Sequence, residues 1–329
     1  MIDDRRFKIP SSKSVKEVEA GCIGKVLKST RNHYLVKTDS AILKCIVRGR
    51  VVGTVSGEQS AVKVGDDVRV ELINAEEGAI QEILPRRSRL SRAVEGKAYR
   101  EHLIAVNIDQ MIIIMAVKQP EFKSGLLDRY LVIAGKNGLT SIICLNKVDL
   151  ADKSSFYQMA SWYRKLGYPF HYTSVVTGEG MEEFKSLLKG KVSVLVGHSG
   201  VGKSSMIQKI EPAIDLKIAD ISQKTNKGKH STSYVELFPL SFGGYLMDTP
   251  GIRELGLWDI YQNELKQYFT EFAKFERNCQ FNDCQHLKEP GCAVKKAVEK
   301  GKISGERYKN YCNIQSDLRA APYELIKRR

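Results

Sequence analysis

The sequence predicts an α/β fold of the P-loop class, with a small β-barrel before it and a helical tail after it. Three observations predict this. From Asn107 onward, apolar strands alternate with helical stretches, the pattern of a parallel sheet covered by helices. Gly197-His-Ser-Gly-Val-Gly-Lys-Ser204 fits G-x-x-x-x-G-K-S and stands between an apolar strand and a helix, the context such a loop requires. From about Gly21 to Leu84, short strands recur between glycine-marked turns.

The 329 residues are enough for two or three domains of about 100–200 residues each. With 42% hydrophobic and 27% charged residues, the balance is that of a globular protein and not of a disordered one. Lys and Arg number 52 against 38 Asp and Glu, a net charge of +14, which favours a polyanionic partner. The most apolar run, Met111–Val117, falls far short of the ~20 residues that span a bilayer. The polar start, MIDDRRFKIPSSK, is not that of a signal peptide. The expectation is a cytoplasmic protein with no membrane contact.

Taken in order, the barrel strands include Tyr34–Lys37, Ile42–Val47 and Val68–Ile73, with Gly49, Gly53, Gly57, Gly65 and Gly78 between such strands. Such a barrel often binds nucleic acid, and on pattern alone a generic β-domain fits equally. Pro85–Arg100 holds six basic residues and one acid. It reads as a solvated linker, the alternative being a strap that contacts phosphates. Next come a strand at Gln110–Val117, a helix at Gly125–Gly135 and a strand at Ser141–Leu145. A helix through Phe156–Leu166, a strand near Phe170–Thr173, a helix at Glu182–Leu188 and the strand Val192–Val196 complete the alternation.

In the loop Gly197, His198, Ser199, Gly200, Val201, Gly202, the glycines let backbone N–H groups close around a β-phosphate. A helix is expected from Ser205, just after Lys203 and Ser204, and its N-terminus adds partial positive charge. Lys203 is expected to reach the β- and γ-phosphates, and Ser204 to ligate Mg²⁺. Asn146-Lys147-Val148-Asp149 follows its own apolar strand, and the Asp149 carboxylate suits the paired N–H donors of guanine, which adenine lacks. Thr173 to Gly180 supports that choice, because a strand ending in such a loop, with Ser174 and Val175, commonly seats the guanine oxygen. Asp248-Thr-Pro-Gly251 closes another strand. There Asp248 is expected to hold Mg²⁺ and the Gly251 N–H to sense the γ-phosphate.

The order of these segments is the informative part. In ordinary GTPases the phosphate loop comes first and N-K-x-D late, whereas here Asn146–Asp149 precedes Gly197–Ser204. The predicted fold is therefore a circularly permuted P-loop GTPase domain, with an N-terminal OB-like β-barrel and a C-terminal α-helical zinc-binding domain. Closely spaced domain termini make such a rearrangement tolerable. One consequence is that the segment after Asp248 leads directly into the tail, so nucleotide state is expected to reach residues 258–329.

In that tail Cys279-x₄-Cys284-x-His286-x₅-Cys292 offers three thiolates and an imidazole, the donor set of a closed structural Zn²⁺ site. The surrounding segment looks too polar to build a core, so metal is expected to supply much of its folding energy, on the order of 10 kcal/mol. Cys22, Cys45, Cys144 and Cys312 lack partners at ligand spacing and read as packing residues. Residues 295–329 carry ten Lys or Arg and four Asp or Glu, a net of +6, interleaved with Tyr308, Tyr311 and Tyr323. That mixture suits phosphate contact and base stacking, with a solvated helix face as the alternative.

Together these segments resemble the RsgA family, bacterial circularly permuted GTPases that depend on the small ribosomal subunit. The family's basic-Gly-basic-His-Thr-Thr-Thr segment has its counterpart in Lys227-Gly-Lys-His230-Ser231-Thr232-Ser233, with serine at two threonine positions. The resemblance implies a GTPase that assembles the 30S subunit at a late stage, binds 16S rRNA through barrel and tail, and is stimulated by the subunit. It also implies that Thr232, with Ser231 and Ser233 as alternatives, meets Mg²⁺. Ile252 follows Gly251 where many GTPases place a water-orienting glutamine, and the resemblance assigns that task to His230. Contact of His230 with RNA or solvent is the competing reading. The expected layout is a barrel over 1–85, a basic linker over 86–106, the GTPase domain over 107–257 and the zinc domain over 258–329. The expected partners are GTP or GDP and the subunit, with the chain a monomer. A GTP-gated RNA-binding module with incidental hydrolysis is the second reading. The third reading, a signalling or membrane-associated GTPase, is disfavoured by the lack of a lipidation or membrane segment, and the basic tail and Ile252 disfavour a self-sufficient signalling switch.

Overall fold

The computed structural model describes residues 21–30, 33–47, 62–93, 101–152, 154–214, 235–248, 257 and 260–318. The chain divides into two compact units. One comprises Met1–Gln110, Glu182–Leu195 and Ser204–Glu254, the other Met111–Met181, Val196–Lys203 and Leu255–Arg329. In chain order the elements begin with β1 (Cys22–Ser29), β2 (Tyr34–Thr38), β3 (Ile42–Val47), β4 (Asp67–Leu72) and β5 (Glu77–Ile83). They continue with β6 (Arg89–Ala93), β7 (Glu101–Val106), β8 (Gln110–Ala116), α1 (Ser124–Lys136), β9 (Thr140–Asn146) and α2 (Ser154–Lys165). Then come β10 (Phe170–Tyr172), α3 (Met181–Leu188), β11 (Val192–Val196), α4 (Lys203–Ile210), β12 (Glu236–Pro239) and β13 (Tyr245–Asp248). The tail adds α5 (Ala293–Glu299) and α6 (Gly305–Asp317) after a series of short helical turns.

In the first unit β1 to β5 close a five-stranded barrel in the order β1-β2-β3-β5-β4, with β4 pairing back onto β1. Val68 and Val70 of β4 are buried while Arg69 and Glu71 are exposed, the period of two expected of a half-buried strand. Val26, Val36, Cys45 and Ile80 fill the barrel. Burial pushes the Cys45 thiol up to about 12, so this cysteine packs and does not react. The barrel does not end at its fifth strand. β12 pairs with β1 at Glu236 and Lys28, β13 runs antiparallel to β12, and β11 lies parallel to β13.

Residues 86–93 and 101–106 hold more structure than the solvated linker expected from their charge. β6 and β7 form an antiparallel hairpin in which Leu90, Ala105 and Val106 are buried. Arg86 forks onto buried Asp66, with Nε 2.7 Å from Oδ1 and Nη2 2.8 Å from Oδ2. The charge run concealed this hairpin because its apolar positions are spaced between arginines.

In the second unit β8 is buried at every position, as an inner strand of an α/β sheet must be, and β9 and β10 lie beyond it. The tail residues of this unit have a core of their own. Phe269, Phe272, Tyr311 and Ile314 pack with Val294, Cys284, Cys292 and Val132 of α1. The expectation of a coreless tail is therefore corrected: its aromatic residues, scattered in sequence, converge on the metal-ligand loop. Tyr311 is wholly buried, so the base-stacking role considered for it is also corrected. None of the described helices is long and apolar enough to cross a membrane.

Candidate functional site

β9 ends at Asn146, and the chain turns sharply because Lys147 adopts a left-handed conformation, φ 62°. One turn of 3₁₀ helix, Val148–Leu150, then carries Asp149. The Asp149 carboxylate is fixed by Ser174, whose Oγ donates to Oδ1 at 2.5 Å. That hydroxyl also accepts the Thr177 N–H at 3.2 Å, so the loop after β10 and the carboxylate are oriented together. Val175 lies beside Ser174 and is half-buried. Val148 is buried and its N–H donates to the Thr173 carbonyl, so it holds the turn in place.

Asn146 joins this region to the phosphate loop. Its Nδ2 donates to the Val201 carbonyl at 2.9 Å, and its Oδ1 accepts from Thr173 Oγ1 at 3.1 Å. The loop leaves β11 at Gly197 and enters α4 at Lys203, two residues before the helix start expected at Ser205. Two of its glycines are required by space. A Cβ on Gly197, φ 150°, would stand 2.1 Å from the Ile114 carbonyl oxygen. One on Gly202, φ 99°, would stand 2.4 Å from Asn146 Nδ2. The Lys203 ammonium arches back over the loop, donating to the carbonyls of Gly197 at 2.8 Å and His198 at 2.9 Å. Ser204 and Ser205 open the first turn of α4, and His198 is exposed. Asn146, Asp149, Ser174 and Gly197–Lys203 all belong to the second unit, so the turn after β9 and the loop after β11 meet within one body.

Asp248 ends β13 and is described by its backbone. His230, Ser231, Thr232, Ser233, Gly251 and Ile252 lie outside the described residues. Two contributors were missed from sequence. Thr173 anchors Asn146, and the Gln119 carbonyl receives the Lys147 ammonium. Thr173 opens the very segment read as a base-seating loop, but nothing in its sequence distinguished its side chain from its neighbours'.

The second cluster is Cys279, Cys284, His286 and Cys292, whose ligand atoms all lie within 4.8 Å of one another. Cys279 Sγ is 4.0 Å from Cys292 Sγ, and His286 Nδ1 is 3.6 Å and 3.5 Å from those two sulfurs. Bonds of about 2.3 Å to sulfur and about 2.0 Å to nitrogen give tetrahedral edges of roughly 3.5–3.8 Å, so the donor set fits zinc bound through Nδ1. Backbone N–H groups of Ala293 and Lys295 point at Cys279 Sγ and Cys292 Sγ, at 3.4 and 3.5 Å, and so orient both sulfurs. Burial, with Lys266 nearby, holds the His286 ring below its usual range and so in the neutral form that ligates. Tyr308 and Tyr311 donate their hydroxyls to the carbonyls of His286 and Gln285, at 2.7 and 2.6 Å, pinning the ligand loop onto α6.

Comparison with known proteins points to one family. A family model for the RsgA GTPase matches residues 83–258. The protein named Small ribosomal subunit biogenesis GTPase RsgA in Caldanaerobacter subterraneus subsp. tengcongensis is 41% identical over 296 residues, covering 90% of this chain and 95% of that one. The protein of the same name in Bacteroides fragilis is 38% identical over 308 residues, covering 91% and 98%. Among solved structures, YjeQ from Thermotoga maritima matches with a TM-score of 0.72 at 35% identity, covering 91% of this chain and 98% of that one. YloQ, a circularly permuted GTPase, matches with a TM-score of 0.72 at 30% identity, covering 93% and 97%.

Proposed function

The chain belongs to the RsgA GTPase family, a circularly permuted GTPase of small-ribosomal-subunit biogenesis, and we propose that it works as a late assembly factor whose turnover the 30S subunit stimulates. The observation that carries this reading is the Asn146 side chain, which ties the base-reading turn to the phosphate loop across an inverted sequence order. Asp149, oriented by Ser174, reads the guanine edge, with Asn146, Lys147, Val148 and Val175 shaping the base pocket. Lys203 exchanges its loop carbonyls for the β- and γ-phosphates, and the N–H groups of residues 197–205 surround them. Ser204, Thr232 and Asp248 would hold Mg²⁺, which neutralises phosphate charge when bound. The Gly251 N–H senses the γ-phosphate, and His230 orients the attacking water in place of a glutamine. The four zinc ligands keep the tail folded, and barrel and tail present cationic surface to 16S rRNA. The chain acts as a cytoplasmic monomer.

The deciding experiment compares GTP turnover with and without purified small subunits, and GTP with ATP affinity. Stimulated, guanine-selective turnover supports the proposal. Equal affinity for ATP and GTP rejects the pocket. Slow turnover that subunits leave unchanged, together with nucleotide-dependent subunit binding, would favour an RNA-binding module with incidental hydrolysis.

A further inference from the structure

The stretch from Lys153 to Gly178 holds seven aromatic residues and no Asp or Glu, although acids number 38 in the chain. Its described part forms α2, β10 and the loop after β10, all in the second unit. Helical periodicity sorts the side chains of α2. Phe156, Ala160 and Tyr163, spaced by four and three residues, are the buried ones. Tyr157, Ser161 and Arg164 form the adjoining stripe, where Tyr157 is 45% exposed and Arg164 is exposed. Lys165 is exposed beside them, and its ammonium lies 5.2 Å over the Trp162 ring.

β10 continues this surface. Tyr157 meets Tyr172 edge-on, with ring centroids 5.6 Å apart, and the Arg164 guanidinium lies 4.9 Å over the other ring of that pair, Tyr172. Arg164 also donates from Nη2 to the Phe170 carbonyl at 3.0 Å. Tyr157, Tyr172 and Arg164 therefore stand in a row from α2 to the terminal strand of the sheet. Attraction to ring faces holds both long cationic side chains in place at an exposed site, so little freedom is left to lose on binding. Rings needed only for packing are buried, as Phe156 and Phe170 are, and Tyr157 is not. The Arg164 bond occupies a backbone carbonyl of the terminal strand, which disfavours addition of a partner's strand there.

We infer that the α2–β10 face is a docking surface for single-stranded RNA, with Tyr157 stacking on an unpaired base and Arg164 and Lys165 contacting the phosphates beside it. Every base has a π-face that an exposed aromatic ring can cover, whereas a duplex keeps those faces stacked inside. Fixed cations with no acid nearby match a phosphate chain and repel none of it. That the strand is RNA and not DNA rests on the small-subunit function proposed above. The surface is additional to the barrel and the tail, and needs neither to bind RNA.

The test uses full-length protein and a short oligouridine carrying 5-iodouridine, which crosslinks under ultraviolet light to aromatic residues stacked on it. Peptide mapping of the native protein should place a crosslink at Tyr157. Tyr157→Ala should weaken oligouridine binding by about tenfold, within what one stacked base contributes. Tyr157→Phe keeps the ring and should bind as the native protein does. Lys165→Gln should reduce the slope of log affinity against log salt by about 0.7, the value of one single-strand phosphate. Crosslinks confined to the barrel or the tail, or native oligouridine affinity in Tyr157→Ala, would overturn the inference. If Tyr157→Ala bound small subunits weakly but oligouridine normally, the face would serve a protein partner and the inference would likewise fail. If subunits leave turnover unchanged while the Tyr157 crosslink persists, the function proposed above falls and the stacking surface stands.

Discussion

Arg307 of α6 and Asp128 of α1 form an ion pair with side chains only 3% and 0% exposed. Asp128 also accepts from Tyr163 at 3.0 Å and from Asn310 at 2.7 Å, while Arg307 donates to Glu271 through Nε at 2.5 Å and Nη2 at 3.1 Å. The guanidinium lies over the rings of Phe269 and Tyr163, at 4.9 and 5.4 Å. Tail and α1 are thus joined by a satisfied charged network in a dry place, in the unit that also contains Asn146, Asp149 and Gly197–Lys203. Burial opposes the Arg307 charge, but Asp128 and Glu271 outweigh it and hold the group above its ordinary value.

Removing the cation should cost far more than the pair contributes, because it strands two carboxylates. Arg307→Met is expected to destabilise the protein by about 3–5 kcal/mol in thermal or urea unfolding. Burial already pushes the Asp128 carboxyl above its usual range, with Arg307 drawing it back down, so loss of Arg307 raises it further. A carboxyl whose folded pKa exceeds its unfolded one contributes stability below the unfolded pKa and loses it as pH rises through the folded pKa. The deficit of the variant relative to native should therefore be smallest near pH ~4–5 and grow toward neutrality. A deficit independent of pH would mean the carboxyls relax into solvent.

Gly202→Ala tests the grip of Asn146 on the phosphate loop. The added methyl meets the Asn146 amide at 2.4 Å and sits on a backbone with φ 99°. Nucleotide affinity should fall at least about a hundredfold, a cost of roughly 2.7 kcal/mol. The circular dichroism of the folded protein should stay native, since no core residue changes. Measured affinity within threefold of native would show that the loop gives way freely.

Asp149→Asn tests the base reading. An amide in place of the carboxylate loses the acceptor for one guanine donor and gains a donor of its own, which suits the carbonyl that xanthine carries at that edge. GTP affinity should drop by about two orders of magnitude while affinity for xanthosine triphosphate rises. Ser174→Ala should weaken GTP binding less, by about tenfold, because it only releases the carboxylate from its fixed orientation. Unaltered base preference in Asp149→Asn would place guanine elsewhere.

Sequence and structure agree best where chemistry is local. The phosphate loop, Asn146–Asp149 and the zinc ligands each lie within a few residues, so spacing alone shows which side chains share a purpose. Asn146 reaches Thr173 and Val201, 27 and 55 residues away, and those partners follow only once strands are aligned. Arg307 was hidden for another reason. A lone arginine on a polar helix reads as solvated, and only packing shows it between two acids. Residues 86–106 misled in the same direction, because charge density masked Leu90, Ala105 and Val106.

His230→Ala addresses turnover apart from binding. A positioned general base or water-orienting group contributes about 10²- to 10⁴-fold to rate, so turnover with small subunits should fall by that order while GTP affinity stays native. Loss of affinity as well would place His230 in the binding pocket.

Zinc removal separates the tail's own core from the metal. Bound zinc is expected to be worth on the order of 10 kcal/mol to a short module, more than the packing of Phe269, Phe272 and Tyr311 supplies once the ligand loop is released. Treatment with a strong chelator should extract one zinc per chain and change the near-ultraviolet signal of the tyrosines, because Tyr308 and Tyr311 donate to that loop. The Arg307 network lies outside the ligand loop, on α1 and α6, so GTP affinity should change by less than about threefold, under 0.7 kcal/mol. Cys284→Ser should reproduce both effects without chelator, since three ligands close the site poorly. If the tyrosine signal survives complete zinc loss, the aromatic core holds the tail by itself and the metal contributes little to its fold.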